Sequence, residues 1–217
     1  MVTPNPASGM SHLHPHRADE DQVFQKYLDR AIVDIHELGD EIGACGHCDH
    51  DDVDQRVLGT GHPLADIMLV KWSPAPAELD EGVAFHGRAG EAIRRSVERL
   101  AVDALDLYGT NCIKCSTSPT PCMRERCPSW LLREIRIVEP KLLVVMGTES
   151  LDAVNGLEVP DASTLEPRSG AVQRWTHACE AIWCPDIDES LDRPASKQAF
   201  WRAFRVLGDW YAEKPPF

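Results

Sequence analysis

The sequence predicts an α/β domain whose parallel β-sheet is covered on both faces by helices. Two observations carry this prediction: short apolar runs typical of buried strands recur along the chain, and segments of helical length separate them. Strands that alternate with helices favour parallel pairing, because each helix returns the chain to the start of the next strand. A length of 217 residues is enough for one domain with a full core.

The N-terminal region divides into a tail and the start of the domain. Residues 1–18 are rich in Pro and His and are predicted to be disordered, which leaves 19–217 as the folded domain. A His-rich tract can bind metal, but the tail is interpreted as solvated chain. Residues 21–38 place apolar side chains every three or four positions, which predicts a helix closed by Gly39 and Gly43.

The rest of the chain supplies four predicted strands, each followed by a loop and a helix. Apolar runs set the strand predictions, and helical spacing with a serine N-cap sets the helix predictions. The strands are 65–70, 105–108, 141–146 and 181–183. The helices begin near Gly87, Ser129, Thr148 and Ser196.

A polar segment, residues 110–115, follows the second strand, with Gly109 expected to break the strand. Active sites of α/β proteins gather at the carboxyl ends of strands. Asn111 offers an amide that can read the edge of a nucleobase, because it has both a donor and an acceptor. The Cys115 thiolate can hold a metal. The segment is therefore predicted to join a base pocket to a metal centre.

Cysteine usage favours a metal centre over disulfides. The chain has eight cysteines and no secretory signal, a combination that predicts reduced thiols. The two CxxC pairs, 45–48 and 112–115, suggest a four-cysteine zinc site, but their separation far exceeds the roughly 15–20 residues of a zinc ribbon. In an extended segment, positions 112 and 115 also point to opposite faces.

A 4Fe-4S cluster accounts for the cysteines better. Cys127 precedes a proline, as ligands of iron–sulfur clusters commonly do. We therefore predict cluster ligands at Cys45, Cys48, Cys115 and Cys127. The remaining cysteines are not expected to bind iron, and a small buried apolar role suits Cys179 well.

The acidic charge is concentrated near the N-terminus. The net charge is −13, and residues 1–55 carry twelve acidic and three basic side chains, which leaves a nearly balanced body with room for a basic face. The acidic region is a candidate contact for a protein partner. No run of about 18 apolar residues occurs, so we predict a cytoplasmic protein without a membrane span.

Six short motifs follow one another in the chain. They are RVLGTG at 56–61, KWSPA at 71–75, GVAFHGRAG at 82–90, TNCIKC at 110–115, CPSWL at 127–131 and PKLLVVMG at 140–147. In order and spacing, with no gap inside the longest motif, the chain over about residues 20–210 resembles the iron–sulfur, family 4 type of uracil-DNA glycosylase.

The resemblance implies a three-layer α/β/α domain with a central four-stranded parallel sheet, the 4Fe-4S cluster, and a monomer that binds DNA with a flipped-out base. It implies a DNA repair hydrolase that breaks the N-glycosidic bond of uracil or a related damaged base. Phe85 matches the aromatic residue that stacks on the flipped base. Asn111 matches the amide that reads the uracil edge, and Arg88 would lie near a DNA phosphate.

The departures from the family pattern fall on the chemistry. Trp72, a candidate base contact, replaces the motif-A glutamate that positions water, and Lys71 replaces the preceding glycine. Cys184 stands where the histidine of the H-P-x motif is expected, and a thiol is a weak donor. Losing one such donor costs about a hundredfold or more in rate.

Two hypotheses follow, and a third is weaker. The first is a DNA glycosylase in which Lys71 is a nucleophile or electrostatic stabiliser, His86 replaces the lost donor, and Glu78, Asp80 or Glu81 positions water. The second is a catalytically degenerate relative that binds DNA or a protein partner and keeps the cluster for structure. The third is an iron–sulfur carrier unrelated to repair.

Overall fold

A six-stranded sheet forms the centre of the fold in the computed structural model, which describes residues 15–48 and 55–214. The strand order is β1-β3-β2-β4-β6-β5. The strands are β1 (Thr60–Gly61), β2 (Ile67–Lys71), β3 (Leu107–Asn111), β4 (Leu142–Met146), β5 (Val172–Arg174) and β6 (Glu180–Cys184).

The predicted four-stranded parallel sheet is confirmed as the central part of this sheet. Strands β3, β2, β4 and β6 pair in parallel, and their apolar runs are buried as expected for strands covered on both faces. Two short strands that were not predicted, β1 and β5, pair antiparallel at the two edges. With two and three residues, most of them exposed, these strands lack the apolar run that marks a buried strand.

Helices cover both faces of the sheet and give the expected three layers. Helices α3 and α8 pack against one face, around Leu69 and Val144, and α5 and α6 pack against the other, around Val70 and Val145. The helices are α1 (Pro15–Gly43), α2 (Pro76–Glu81), α3 (Arg88–Arg99), α4 (Pro121–Arg126), α5 (Pro128–Val138), α6 (Thr148–Asn155), α7 (Ile187–Asp192) and α8 (Pro194–Ala212).

The second central strand differs from its prediction. A 3₁₀ turn occupies Ala104–Asp106, and β3 begins at Leu107 and continues through Gly109, so the predicted strand break at that glycine is wrong. Gly109 pairs in register with Thr60 and with Leu69. A glycine inside a strand often marks a close approach by another group, and here that group is an aromatic ring described below.

The N-terminal helix also differs from its prediction. It runs through Gly39 to Gly43, and its C-terminal half is anchored by the buried side chains of Ala31, Leu38 and Ile42. Residues 1–14 of the predicted tail lie outside the described residues, while the backbone of 15–18 forms the start of α1. No helix in the described part of the chain is long and apolar enough to cross a membrane.

A buried ion pair ties the end of β3 to α5. The Lys114 ammonium donates to both carboxylate oxygens of Glu134, at 2.9 and 2.8 Å, and to the Thr110 hydroxyl at 2.6 Å. The Tyr108 hydroxyl donates to the same carboxylate. Since Lys114 and Glu134 are each only 1% exposed, each charge depends on the other to offset its desolvation.

We expect Glu134→Ala to lower the free energy of unfolding by about 3–5 kcal/mol, because it leaves the Lys114 charge buried without its partner. The double variant Lys114→Met/Glu134→Leu should lose less than Glu134→Ala, since it buries no charge. Urea titrations of the three proteins measure both values. A loss below about 1 kcal/mol for Glu134→Ala would show that the pair does not hold α5 to the sheet.

Candidate active site

The carboxyl ends of the four parallel strands bring four side chains into one row on the α3 and α8 face. Asn111 pairs in register with Lys71, Lys71 with Met146, and Met146 with Cys184. Side chains at registered positions of a parallel sheet project from the same face, and alternation along each strand agrees with this assignment. The predicted base-reading amide therefore lies beside Lys71.

The Asn111 amide is buried without hydrogen-bond partners. The residue is 0% exposed, and neither Oδ1 nor Nδ2 has a hydrogen-bond partner among the described residues. A buried polar group left unpaired costs about 1–3 kcal/mol, and such groups in native proteins call for a functional explanation. A ligand that presents one donor and one acceptor would satisfy both atoms.

Phe85 lies over the strand that carries Asn111. A Cβ added at Gly109 would lie 2.6 Å from Phe85 Cδ2, so the absent side chain makes room for the ring. A Cβ added at Gly90 would overlap the Phe85 carbonyl oxygen. Phe85 itself has a φ of 59°, an unfavourable value for a non-glycine residue. The two glycines and the strained backbone together fix the ring on the Asn111 face of the sheet.

Glu78 organises the loop between β2 and α3. Its Oε2 accepts from Lys71 Nζ at 2.6 Å and from the Ala75 peptide N–H at 2.6 Å, and its Oε1 accepts from the Phe85 N–H. Glu78 and Lys71 are both 0% exposed. One buried carboxylate thus holds the lysine, the turn after β2 and the strained aromatic residue in a single arrangement.

Lys71 has a second carboxylate partner on α7. Its Nζ lies 2.6 Å from Asp188 Oδ2, and the Asp188 side chain is 40% exposed. The same Nζ lies 5.8 Å from the centroid of the Phe85 ring, within the range of a cation–π contact. A fully buried cation therefore lies between the aromatic residue and a carboxylate that reaches solvent.

A groove of about 670 Å³ opens at this edge of the sheet, and its walls differ in charge. His86 and Arg88 line it near the start of α3, and Asp188 and Glu189 of α7 line it together with the preceding Asp186. Asp186 caps α7 by accepting from the Glu189 N–H at 2.9 Å, and burial raises the pKa of its carboxyl group. The groove is predominantly acidic on the α7 side.

Of the polar residues predicted near the motifs, some line the groove and others do not. Arg88 is at the first turn of α3, where its guanidinium donates to Asp192 at 2.7 Å, and this carboxylate raises the pKa of Arg88. His86 is exposed in the groove. Asp80 and Glu81 are exposed at the end of α2, and both are absent from the described lining of the groove.

Trp72 contacts the groove but packs mainly toward the cysteines. As the residue after Lys71, it projects from the opposite face, against Ile113 and Met123. The Arg124 guanidinium carbon lies 5.2 Å from the centroid of the Trp72 ring system. The indole therefore does not replace the water-positioning carboxylate expected at this position.

Cys184 belongs to the row of side chains at the strand ends but does not line the groove. It is 0% exposed, two strands from Lys71 with Met146 between them, and burial raises the pKa of its thiol. The structure therefore gives no access for a thiol donor at this position. Neither Asp186 nor Asp188 was predicted as a site residue, and no local signal separates them from the neighbouring acids.

Three of the four predicted cluster ligands, Cys48, Cys115 and Cys127, share one apolar cluster, and Cys45 packs against a second one around Trp130. The Cys115 thiol donates to Cys127, which lowers the pKa of Cys127 and raises that of Cys115. Segments from α1, β3 and α4 supply these cysteines.

A disulfide between Cys48 and Cys122 corrects one prediction. All thiols were expected to be reduced, but α4 places Cys122 against the loop that follows α1, with a Cα–Cα distance of 6.0 Å to Cys48. Cys112 is buried on the opposite face of the sheet, within the α5 and α6 core. No group of three or more metal-binding side chains is arranged around a single ion in the part described.

The surroundings of the cysteines fit a cluster of thiolate ligands once the disulfide is reduced. The sulfurs of Cys48, Cys115 and Cys127 share an apolar shell, and together with Cys45 they would supply the four thiolates of a 4Fe-4S cluster. The buried Trp130 Nε1 has no hydrogen-bond partner among the described residues, and Trp130 packs in the same group as Cys45. Arg56 donates to the Cys45 carbonyl oxygen at 3.0 Å. The orphaned indole donor and the cation both suit an anionic sulfur centre.

Comparisons with known proteins agree with this architecture. The family model of the uracil DNA glycosylase superfamily matches residues 58–205. A type-4 uracil-DNA glycosylase from Archaeoglobus fulgidus is 27% identical over 184 residues, which is 81% of this chain and 92% of the relative. One from Sulfurisphaera tokodaii is 30% identical over 158 residues, 65% and 72% of the two chains. With a fold, ordered motifs and family match that all agree, this chain belongs to the uracil-DNA glycosylase superfamily.

Proposed function

We propose that the protein removes uracil, or a closely related damaged base, from DNA by hydrolysis of the N-glycosidic bond. The observation that carries this proposal is the Asn111 amide, which is fully buried beside Phe85 with both polar atoms unpaired. Membership of the superfamily supplies DNA as the substrate class.

The hydrogen-bonding groups of uracil complement the unpaired Asn111 amide. Uracil presents an N–H donor and a carbonyl acceptor side by side on one edge, and Asn111 offers the complementary acceptor and donor. The Phe85 ring supplies a face on which a planar base can stack. A base inside a duplex cannot reach a buried amide, so the proposal requires a flipped or single-stranded nucleotide.

Lys71 is proposed to stabilise the base as it leaves. When the glycosidic bond breaks, its electron pair stays on uracil, and a nearby fixed cation lowers the energy of that anion. An amine acts as a nucleophile through its lone pair, whereas Lys71 is engaged as an ammonium donor to Glu78 and Asp188. We therefore assign Lys71 an electrostatic role and not a covalent one.

A second candidate function, base binding without excision, has its own support. Two carboxylates neutralise Lys71, Cys184 is inaccessible, and the α7 side of the groove is acidic. A protein partner for the acidic N-terminal region stays a prediction, since many of the acids fall outside the described residues. The monomeric state also stays a prediction.

The DNA backbone is proposed to run along a basic groove between α3 and α8. This groove has a volume of about 580 Å³, shares Leu191 with the acidic groove, and is lined by Arg95, Arg99 and Lys197 with no Asp or Glu among its described lining residues. A polyanion avoids the acidic α7 wall and is attracted to this one, despite the net charge of −13.

A 4Fe-4S cluster is proposed on Cys45, Cys48, Cys115 and Cys127. The fit of the donor set, the apolar shell and the unpaired Trp130 indole support it. When bound, the cluster supplies a cross-link between distant segments of the chain. Cys48 can bind iron only after its bond to Cys122 is reduced.

The test of the proposed function is abasic-site formation on a single-stranded oligonucleotide that contains one uracil. Wild-type protein should produce alkali-labile abasic sites. Asn111→Ala should lower the single-turnover rate about a hundredfold or more, because a donor to the leaving base is lost. Gly43→Ala is the matched control, since its added Cβ meets no atom within 4 Å. No product from wild type, alongside DNA binding that Phe85→Ala weakens, would favour the binder.

The basic groove predicts the salt dependence of binding. The double variant Arg99→Glu/Lys197→Glu should bind single-stranded DNA at least about tenfold more weakly at moderate salt and reduce the slope of log affinity against log salt by roughly 1 to 2. Fluorescence anisotropy over a salt series measures both. Lys26→Glu on α1, a helix that packs on α5, serves as the control. An unchanged slope in the double variant would place the DNA elsewhere.

Cluster assembly predicts a different outcome for each cysteine. With iron and sulfide but no thiol reductant, Cys122→Ser should incorporate more iron than wild type, because Cys48 is then unbonded. Cys127→Ser should stay colourless under every condition, and Cys179→Ser, a substitution in the core, should behave as wild type. Visible absorbance and iron content are the measurements. A colourless wild-type protein with stoichiometric zinc would contradict the cluster.

A further inference from the structure

We propose that Asp188 is the catalytic carboxylate that activates water in this hydrolysis. The inference rests on the proposed function and deepens it, since Trp72 stands where the family has its water-positioning glutamate. The structure places three carboxylates around the Lys71 site, on Glu78, Asp186 and Asp188, and their contacts separate them.

Glu78 is too fully engaged to bind water. It is 0% exposed, and its two oxygens already accept from Lys71 and from the peptide N–H groups of Ala75 and Phe85. A water molecule that attacks the sugar must reach the carboxylate from the groove. Glu78 therefore holds the site together and leaves the chemistry to another residue.

Asp186 serves the start of α7. Its Oδ1 accepts from the Glu189 N–H, and its backbone carbonyl accepts from the Ser190 hydroxyl at 2.6 Å. Within the described residues it forms no ion pair with Lys71. Its geometry is that of a helix cap, and a cap oxygen is already occupied by its peptide donor.

Asp188 combines contact with Lys71 and access to the groove. Its Oδ2 lies 2.6 Å from Lys71 Nζ, its side chain is 40% exposed, and it lines the groove of about 670 Å³. No hydrogen bond to its Oδ1 is found in the described part of the chain. Lys71 pairs in register with Asn111. The Asp188 carboxylate therefore contacts the direct neighbour of the proposed base-reading amide.

The step balances with the groups at hand. Asp188 accepts a proton from water as the water oxygen forms a bond to C1′ of the deoxyribose. The C1′–N bond breaks, and its electron pair leaves on the base, which later takes a proton from solvent. Lys71 is paired with two carboxylates, Glu78 and Asp188. Protonation of Asp188 removes one of these negative charges, so that the Lys71 cation is better able to stabilise the departing anion.

Single-turnover kinetics on uracil-containing single-stranded DNA test the assignment. Asp188→Asn keeps an oxygen that can accept from Lys71 and removes the base, so we expect a rate loss of about a hundredfold or more with a dissociation constant within about threefold of wild type. Asp152→Asn, at an exposed acid on α6 outside the described lining of the groove, should keep the wild-type rate.

Chemical rescue gives an independent measurement. Formate should restore part of the rate of Asp188→Ala in proportion to its concentration, and it should not rescue Asn111→Ala. A rate for Asp188→Asn within threefold of wild type, a parallel loss of DNA binding, or a failure of formate to rescue would overturn the role of Asp188 alone. No abasic product from the wild-type protein would overturn the proposed function and this inference together.

Discussion

The buried carboxylate of Glu78 is the constraint on which the site depends. Moving a carboxylate out of water costs several kcal/mol, which charged and peptide donors must offset. Lys71, the Ala75 N–H and the Phe85 N–H supply those donors. The position of the stacking ring and the position of the buried cation are therefore set by the same group, and neither can move without exposing or unpairing a charge.

Lys71 departs from the family pattern, and two carboxylates offset its buried charge. The resembling motif has a small glycine where this chain has Lys71, and a charge of this kind is stable in the interior only with counter-ions. Glu78 supplies one from α2, and Asp188 supplies the other from α7. Trp72 meanwhile faces the cysteines, where it packs on apolar side chains beneath Arg124. The buried charge of Lys71 is thus offset by carboxylates from two other elements.

Local sequence predicted the four parallel strands well, because strands buried on both faces have continuous apolar runs. The strand that carries Asn111 was misplaced at Gly109, since the reason for that glycine is the ring of Phe85, which approaches from a distant loop. The pairing of Cys122 with Cys48 was missed for a similar reason, because the two are 74 positions apart and the packing of α4 brings them together.

The residues that sequence reasoning missed are those whose partners are most remote. Asp188 meets Lys71 across 117 positions, and nothing in its local pattern separates it from the other acids of the C-P-D-I-D-E segment. Motif comparison pointed to Asn111 and Phe85 because both belong to ordered motifs that resemble those of a family. Asp188 lies outside those motifs.

The central claim is that the Asn111 amide is kept unpaired for a base. A crystal structure of the wild-type protein with bound uracil tests it most directly. We expect the uracil N3–H to donate to Asn111 Oδ1 and its O4 to accept from Asn111 Nδ2, each at about 3 Å, with the base stacked on Phe85. Uracil bound elsewhere, or an Asn111 amide paired only with protein groups, would contradict the account.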